Sequence, residues 1–125
     1  MMHHRVIADN GLKVTSGGCA VAVRLPWYRS LPLSVVDVVS IEFDGRVIDM
    51  SNVVFQLEGS SIRLDELRAR TTENWFVLDT AYLVLNEKNL EVGKEYDVAV
   101  TLAIYPPYLK DLHRVVRTQK RLLAH

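Results

Sequence analysis

Only one cysteine, Cys19, occurs in the 125 residues, so no disulfide within the chain is possible. It opens the apolar run Cys19-Ala20-Val21-Ala22-Val23, a setting that suits a small buried residue better than a catalytic thiol. Net charge is missing too. Fifteen Lys and Arg offset fifteen Asp and Glu, which removes any global field that would recruit nucleic acid or an anionic membrane. No apolar run approaches the ~20 residues that a membrane-spanning helix needs. The first residues, Met1-Met2-His3-His4-Arg5, lack an apolar core and a cleavage pattern, so no signal peptide is expected and a cytoplasmic, reducing location is the default.

Catalytic constellations are also scarce. Ser16-Gly17-Gly18 lies between strands and lacks the lysine and following helix of a phosphate loop. No Gly-x-Ser-x-Gly elbow occurs. His3 and His4 are neighbours at the terminus, and His113 and His125 have no ligand-type residue at metal-site spacing. Asp65 and Glu66 are adjacent, so on a regular element they do not face each other as an acid/base pair; Asp65 is expected to cap a short helical turn. A metal site and a catalytic residue are therefore not expected on this chain. A small enzyme using Asp37, Asp65 or His113 is the least favoured reading.

What is present is strand periodicity. Val39, Ile41 and Phe43 alternate with Ser40, Glu42 and Asp44, a half-buried strand, and Asp44-Gly45 then turns the chain back into Arg46-Val47-Ile48. Asn52 to Leu57 and Ser61 to Leu64 form a second pair across Glu58-Gly59-Ser60. Trp75-Phe76-Val77-Leu78 and Ala81-Tyr82-Leu83-Val84-Leu85 are β-rich runs around Asp79-Thr80. Tyr96, Val98, Val100, Leu102 and Ile104 mark the clearest strand, after the polar turn Asn89 to Lys94. Only Arg63 to Arg70 reads as helical, and it is too short to be stable alone. The spacing predicts a single all-β domain over 1–125, an antiparallel β-sandwich of about seven to nine strands with at most one short helix, and with 1–4 and 120–125 as flexible ends. The basic end (Lys110, Arg114, Arg117, Lys120, Arg121) is interleaved with Val and Leu, as on a solvated strand face or an intersubunit rim.

Two segments break the pattern. Pro26 and Pro32 enclose Trp27, Tyr28, Arg29 and Leu31, and the clearest strand ends in Tyr105-Pro106-Pro107-Tyr108. Proline fixes φ and removes a donor, so both are stiff, non-helical loops carrying large side chains, which lose little entropy on docking. Pro26, Trp27, Tyr28, Arg29, Leu31, Pro32, Tyr105, Pro106, Pro107 and Tyr108 form the candidate partner interface. Two readings stay open for Trp27, an interface anchor or a cap folded over the open end of the core. Arg29 has the same choice between a partner carboxylate and carbonyls of its own loop.

The run Val23-Arg24-Leu25-Pro26-Trp27-Tyr28-Arg29-Ser30-Leu31-Pro32-Leu33-Ser34, followed by Asp37 and a strand ending in Asp44-Gly45, resembles the signature of the C-glycoside deglycosidase β (small) subunit family. There the corresponding segment reads Val-Arg-Ile-Pro-Tyr-Tyr-Arg-Gly-Ile-Pro-Leu-Ser. Ile62-Arg63-Leu64-Asp65-Glu66-Leu67, Trp75-Phe76-Val77, Gly93 to Val100 and Tyr105-Pro106-Pro107 are similar to later family segments in order and spacing, so the likeness spans roughly residues 19 to 110. Departures are Trp27 where Tyr is frequent, Ser30 where Gly is usual, and Val35 where Cys or Met is common.

The resemblance implies an all-β partner of a larger, TIM-barrel-like α subunit that holds a divalent metal, manganese by expectation, on its own histidines and carboxylates. It implies a carbon–carbon lyase acting on 3-oxo C-glycosides. The oxo group acidifies the sugar C2 proton, a base on the large subunit removes it, and β-elimination expels the aglycone carbon. Further association of the αβ units into hetero-oligomers is part of the same expectation. No catalytic residue is implied for this chain. The rival from another class is a stand-alone carbohydrate- or peptide-binding sandwich that presents Trp27, Tyr28 and Tyr108 as a stacking platform.

Overall fold

Asp44-Gly45 and Glu58-Gly59 both carry the chain through positive φ, 51° and 82° in the first pair and 48° and 83° in the second. Positive φ at both central positions is what a two-residue hairpin turn matched to strand twist requires. In the computed structural model, which describes residues 6–87, 90–106 and 113–125, these turns join β4 (Val36–Phe43) to β5 (Arg46–Val47) and β6 (Val54–Leu57) to β7 (Ser60–Arg63). The other strands are β1 (Ile7–Thr15), β2 (Gly18–Arg24), β3 (Leu31–Pro32), β8 (Asn74–Trp75), β9 (Thr80–Leu85), β10 (Glu95–Ile104) and β11 (Arg114–Leu123). Three short 3-10 turns complete the described elements, at Leu33–Val35, Met50–Asn52 and Leu64–Ala69. The all-β expectation holds. The described strands number eleven because β3, β5 and β8 are two-residue pieces too short to leave a periodic signal.

One sheet runs β1-β2-β9-β6-β7 and another β11-β10-β4-β5, all neighbours antiparallel, while β3 and β8 pair separately. The core lies between the two larger sheets. Val21 and Val23 of β2, Phe55 of β6 and Leu83 of β9 meet Ile41 of β4 and Val98, Val100 and Leu102 of β10 in one buried cluster. At ~25 cal/mol per Å² of apolar surface removed from water, such inward rows supply most of the driving force for folding.

β10 is less one-sided than its alternation suggests. Its outward residues Ala99, Thr101 and Ala103 are buried as well. They are small and flanked across the ladder by longer side chains, with Gln119 and Glu42 beside Ala99 and Arg117 beside Thr101. The alternation on β4 breaks at a bulge, where Leu102 pairs with Val38 but Thr101 with Ser40. Val39 is the extra residue, so it points outward, 51% exposed, and Val38 packs on the core in its place.

The short helical segment forms as the 3-10 turn Leu64–Ala69, with Leu67 as its buried anchor. Glu66, not Asp65, caps it: the Arg63 N–H donates to the Glu66 carboxylate at 3.2 Å, while Asp65 takes the Arg63 guanidinium at 2.9 Å. A side chain three residues into the turn reaches back to the first free N–H, as a capping glutamate does.

The C-terminal end, expected to be loose from 120, is tied in. Lys120 to Leu123 pair with β10, the Val14 N–H donates to the His125 carbonyl at 2.8 Å, and the His125 N–H donates to the Leu12 carbonyl at 3.3 Å. A bulge in β1 between Ile7 and Leu12 brings Asp9 to the Lys120 ammonium and the Asn10 carbonyl within 2.8 Å of the His125 ring. These bonds close one side of the sandwich by satisfying edge groups that would otherwise be open.

Gly18, φ 153°, lies where a Cβ would stand 2.1 Å from the Leu85 carbonyl oxygen, whereas a Cβ at Gly17 would meet nothing within 4 Å. Gly18→Ala is therefore expected to lower stability by about 3 kcal/mol and Gly17→Ala to leave it nearly unchanged, measured by urea unfolding.

Candidate functional site

The proline-bounded loop and the end of β10 meet at one end of the sandwich. Ile104 pairs with Val36, and the Tyr105 N–H donates to the Val35 carbonyl at 2.9 Å. Arg114, at the start of β11, sets its guanidinium 5.6 Å from the Trp27 ring centroid, within the range of a cation–π contact. The Tyr105 and His113 rings stack at 5.6 Å. The described parts of both segments, 26–32 and 105–106, thus belong to one surface.

Within that surface the residues divide. Trp27 is only 7% exposed and joins the core cluster, with Tyr28 leaning on it at 4.9 Å between ring centroids. Its body therefore caps the core, which takes the central ring out of a stacking platform. Leu31 is fully buried opposite Trp75 and belongs to this chain's own core. Pro26 and Pro106 are buried and Pro32 is half-buried; Tyr28, Arg29 and Tyr105 remain exposed. Pro107 and Tyr108 lie outside the described residues, as do residues 1–5 and Lys110.

Sequence reasoning missed a third segment here. Residues 76–79 do not extend a strand. They form a turn in which the Asp79 N–H donates to the Phe76 carbonyl at 2.9 Å and the Trp75 indole N–H donates to the Asp79 carbonyl at 2.9 Å. The Val77 N–H donates to Ser30 Oγ at 2.9 Å, which ties this turn to the proline-bounded loop. The Leu33 N–H bond to the Glu73 carbonyl (2.9 Å) and the Ser34 N–H bond to the Arg70 carbonyl (3.1 Å) extend the same seam. With Trp75 inward, Phe76 and Leu78 face solvent, 53% and 89% exposed. The available signal was Asp79-Thr80, a turn-prone pair inside an apolar run.

The other candidates do not gather into a reactive centre. Asp37 and Asp65 line one open cleft of about 720 Å³, but the Arg68 guanidinium faces Asp37 at 3.4 Å and Arg63 faces Asp65. Each of those carboxylates is thus ion-paired with an arginine. His113 sits away from that cleft's lining, against Tyr105. Among the described residues no group of three or more His, Cys, Asp or Glu is placed to hold a metal ion. Three basic side chains of β11 are answered by acids, Arg117 by Glu42 at 3.3 Å, Lys120 by Asp9, and Arg121 by Glu95 at 3.1 Å and Asp97 at 3.4 Å, while Arg114 lies over Trp27. That is a solvated, charge-balanced sheet face, not an anion trough. No described helix is long and apolar enough to cross a membrane.

Comparison with known proteins follows the same line. The family model for the C-glycoside deglycosidase beta subunit matches residues 2–108. The chain is similar to a 3'-dehydrocarminate deglycosidase beta subunit from a Microbacterium species, 35% identical over 98% of this chain and 95% of that one. It is similar to C-glycoside deglycosidase beta subunits from Microbacterium trichothecenolyticum, 34% identical over 87% and 82% of the two chains, and from Arthrobacter globiformis, 34% identical over 86% and 83%.

Two predictions follow from this geometry. Ser30→Ala removes the acceptor for the Val77 N–H and is expected to cost about 1 kcal/mol, with amide exchange rising over residues 76–79 by NMR or mass spectrometry. Cys19 is fully buried, and burial, with Glu87 adding to it, pushes its thiol up to about 12. The unfolded chain loses that proton near the ordinary 9.0 while the folded chain keeps it, so the unfolded state binds fewer protons and stability falls as pH rises from about 9.0 towards 12. Iodoacetamide at pH 8 is expected to label Cys19 only after denaturation.

Proposed function

The chain belongs to the C-glycoside deglycosidase beta subunit family, and from that membership we propose that it is the small, non-catalytic subunit of a cytoplasmic hetero-oligomeric lyase that cleaves the sugar–aglycone carbon–carbon bond of 3-oxo C-glycosides. The observation that carries this reading is the match over residues 2–108, joined by relatives that align along nearly their whole length. The relatives are named beta subunits, so the reading pairs this chain with an α subunit; that this subunit is larger and of TIM-barrel type is what the sequence resemblance implies. The base that removes the sugar C2 proton and the ligands of a divalent cation belong there in this reading. Such a cation, when bound, supplies Lewis-acid polarisation of the oxo sugar.

This chain's own contribution is positional. Its described carboxylates in the 720 Å³ cleft are held against arginines, and its loop end is cross-linked by backbone bonds and capped by Trp27. A rigid end of this kind, presented by Tyr28, Arg29 and Tyr105, is suited to hold large-subunit loops at the substrate entrance. Small displacements of such loops are costly, since a misplacement of about 1 Å can slow a reaction ~100-fold.

Co-expression with the large-subunit coding frame of its own genome tests the proposal. The expected result is co-elution on size exclusion, with aglycone release from a 3-oxo C-glycoside that drops roughly 100-fold when this chain is omitted. Elution of this chain as a sugar-binding monomer, or full activity of the large subunit alone, would overturn it.

A further inference from the structure

The turn at 76–79 carries an inference beyond the sequence-chosen surface, and it rests on the subunit reading above. We propose that Phe76 and Leu78, with Tyr28 beside them, are the anchor by which this chain docks into an apolar recess of the larger subunit. Three observations carry it.

The first is exposure without looseness. Leu78 is 89% exposed, Phe76 53% and Tyr28 60%. Yet the turn is fixed by the Trp75 indole bond to the Asp79 carbonyl, the Asp79 N–H bond to Phe76 and the Val77 N–H bond to Ser30. Large apolar groups on pre-ordered backbone lose little entropy when they bind, which is the property of an interface hot spot.

The second is that both loops present the patch together. Leu31 pairs with Trp75 and Pro32 with Asn74. Ser30 and Phe76 therefore leave that ladder side by side, and the Val77 N–H bond to Ser30 Oγ holds the loop that carries Tyr28 against the turn that carries Leu78.

The third is size and shape, which choose the occupant. With an aromatic side chain offering ~150–250 Å², the three residues present on the order of 300–400 Å², as large as the biggest patch on a typical monomer. A second copy covering only this patch would bury about 600–800 Å² in total, short of the ~1,000 Å² expected of a stable interface. It would also set one protruding tip against another. A larger subunit with a recess, the partner that the beta-subunit names of the relatives call for, removes both objections, because a recess receives the tips and surrounds the patch on several sides. The sequence reading took Trp75 to Leu78 as a β-rich run and so hid this patch.

The test is a double variant, Phe76→Ser with Leu78→Ser, against a control, Val92→Ser. Val92 is an exposed apolar residue in the turn before β10, at the opposite end of that strand from Ile104. Each is co-expressed with the large subunit and also purified alone. The native chain and Val92→Ser are expected to co-elute with the large subunit, and the double variant to bind at least about 30-fold more weakly with an unchanged thermal midpoint. A photo-crosslinking residue at position 78 is expected to join the large subunit in the intact complex, a readout that does not depend on the double variant folding. Binding of the double variant within two-fold of native, or self-association of the native chain through position 78, would overturn the anchor while leaving the subunit reading in place. Failure of the native chain to co-elute would overturn both.

Discussion

The burial of Trp75 is the constraint on which the loop end of this protein depends. Its ring is wholly removed from solvent and stands edge-on to Phe55 at 5.3 Å. An indole buried that deeply must find an acceptor for its N–H, and the acceptor is the Asp79 carbonyl. That one bond bends 76–79 into a turn, because the carbonyl four residues on must come back over the ring. Apolar side chains at Phe76 and Leu78 are then left outside, and Leu31, paired with Trp75, is pulled inside. The division between core and surface at this end follows from satisfying one donor.

The opposite side of the sandwich solves a different problem. β1 and β11 are both sheet edges, and unpaired edges invite association with other chains. Here the bulge of β1 reaches across to Lys120 and His125, and β11 carries charges matched by Glu42, Glu95 and Asp97. The loop end, by contrast, leaves Tyr28, Phe76, Leu78 and Tyr105 exposed.

Much of the strand pattern was legible in the sequence. Asp44-Gly45 and Glu58-Gly59 marked their hairpins, and Tyr96 to Ile104 marked β10, because period-two burial and positive-φ turns are local properties. Val39 misled because a bulge shifts every later residue by one place, and nothing local to Val39 distinguishes it from an inward valine. Leu78 misled for a related reason. The run Trp75 to Leu78 was read as β-rich, and nothing in its composition shows that 76–79 turn back over the Trp75 indole. Trp27 was the open case, and packing settled its body as a cap of this chain's core.

By itself the sequence determined the all-β class, the main hairpins and the family, since these reside in residue order, turn chemistry and spacing. Tertiary structure alone decided which large side chains became core and which became surface. It set Glu66 and not Asp65 as the cap, paired Arg63, Arg68, Arg117 and Arg121 with carboxylates, and brought residues 26–32, 76–79 and 105–106 to one end. The physical reason is that burial and hydrogen-bond satisfaction are collective: whether Leu31 or Leu78 meets solvent depends on where Trp75 finds its acceptor, and that is a property of the packed chain.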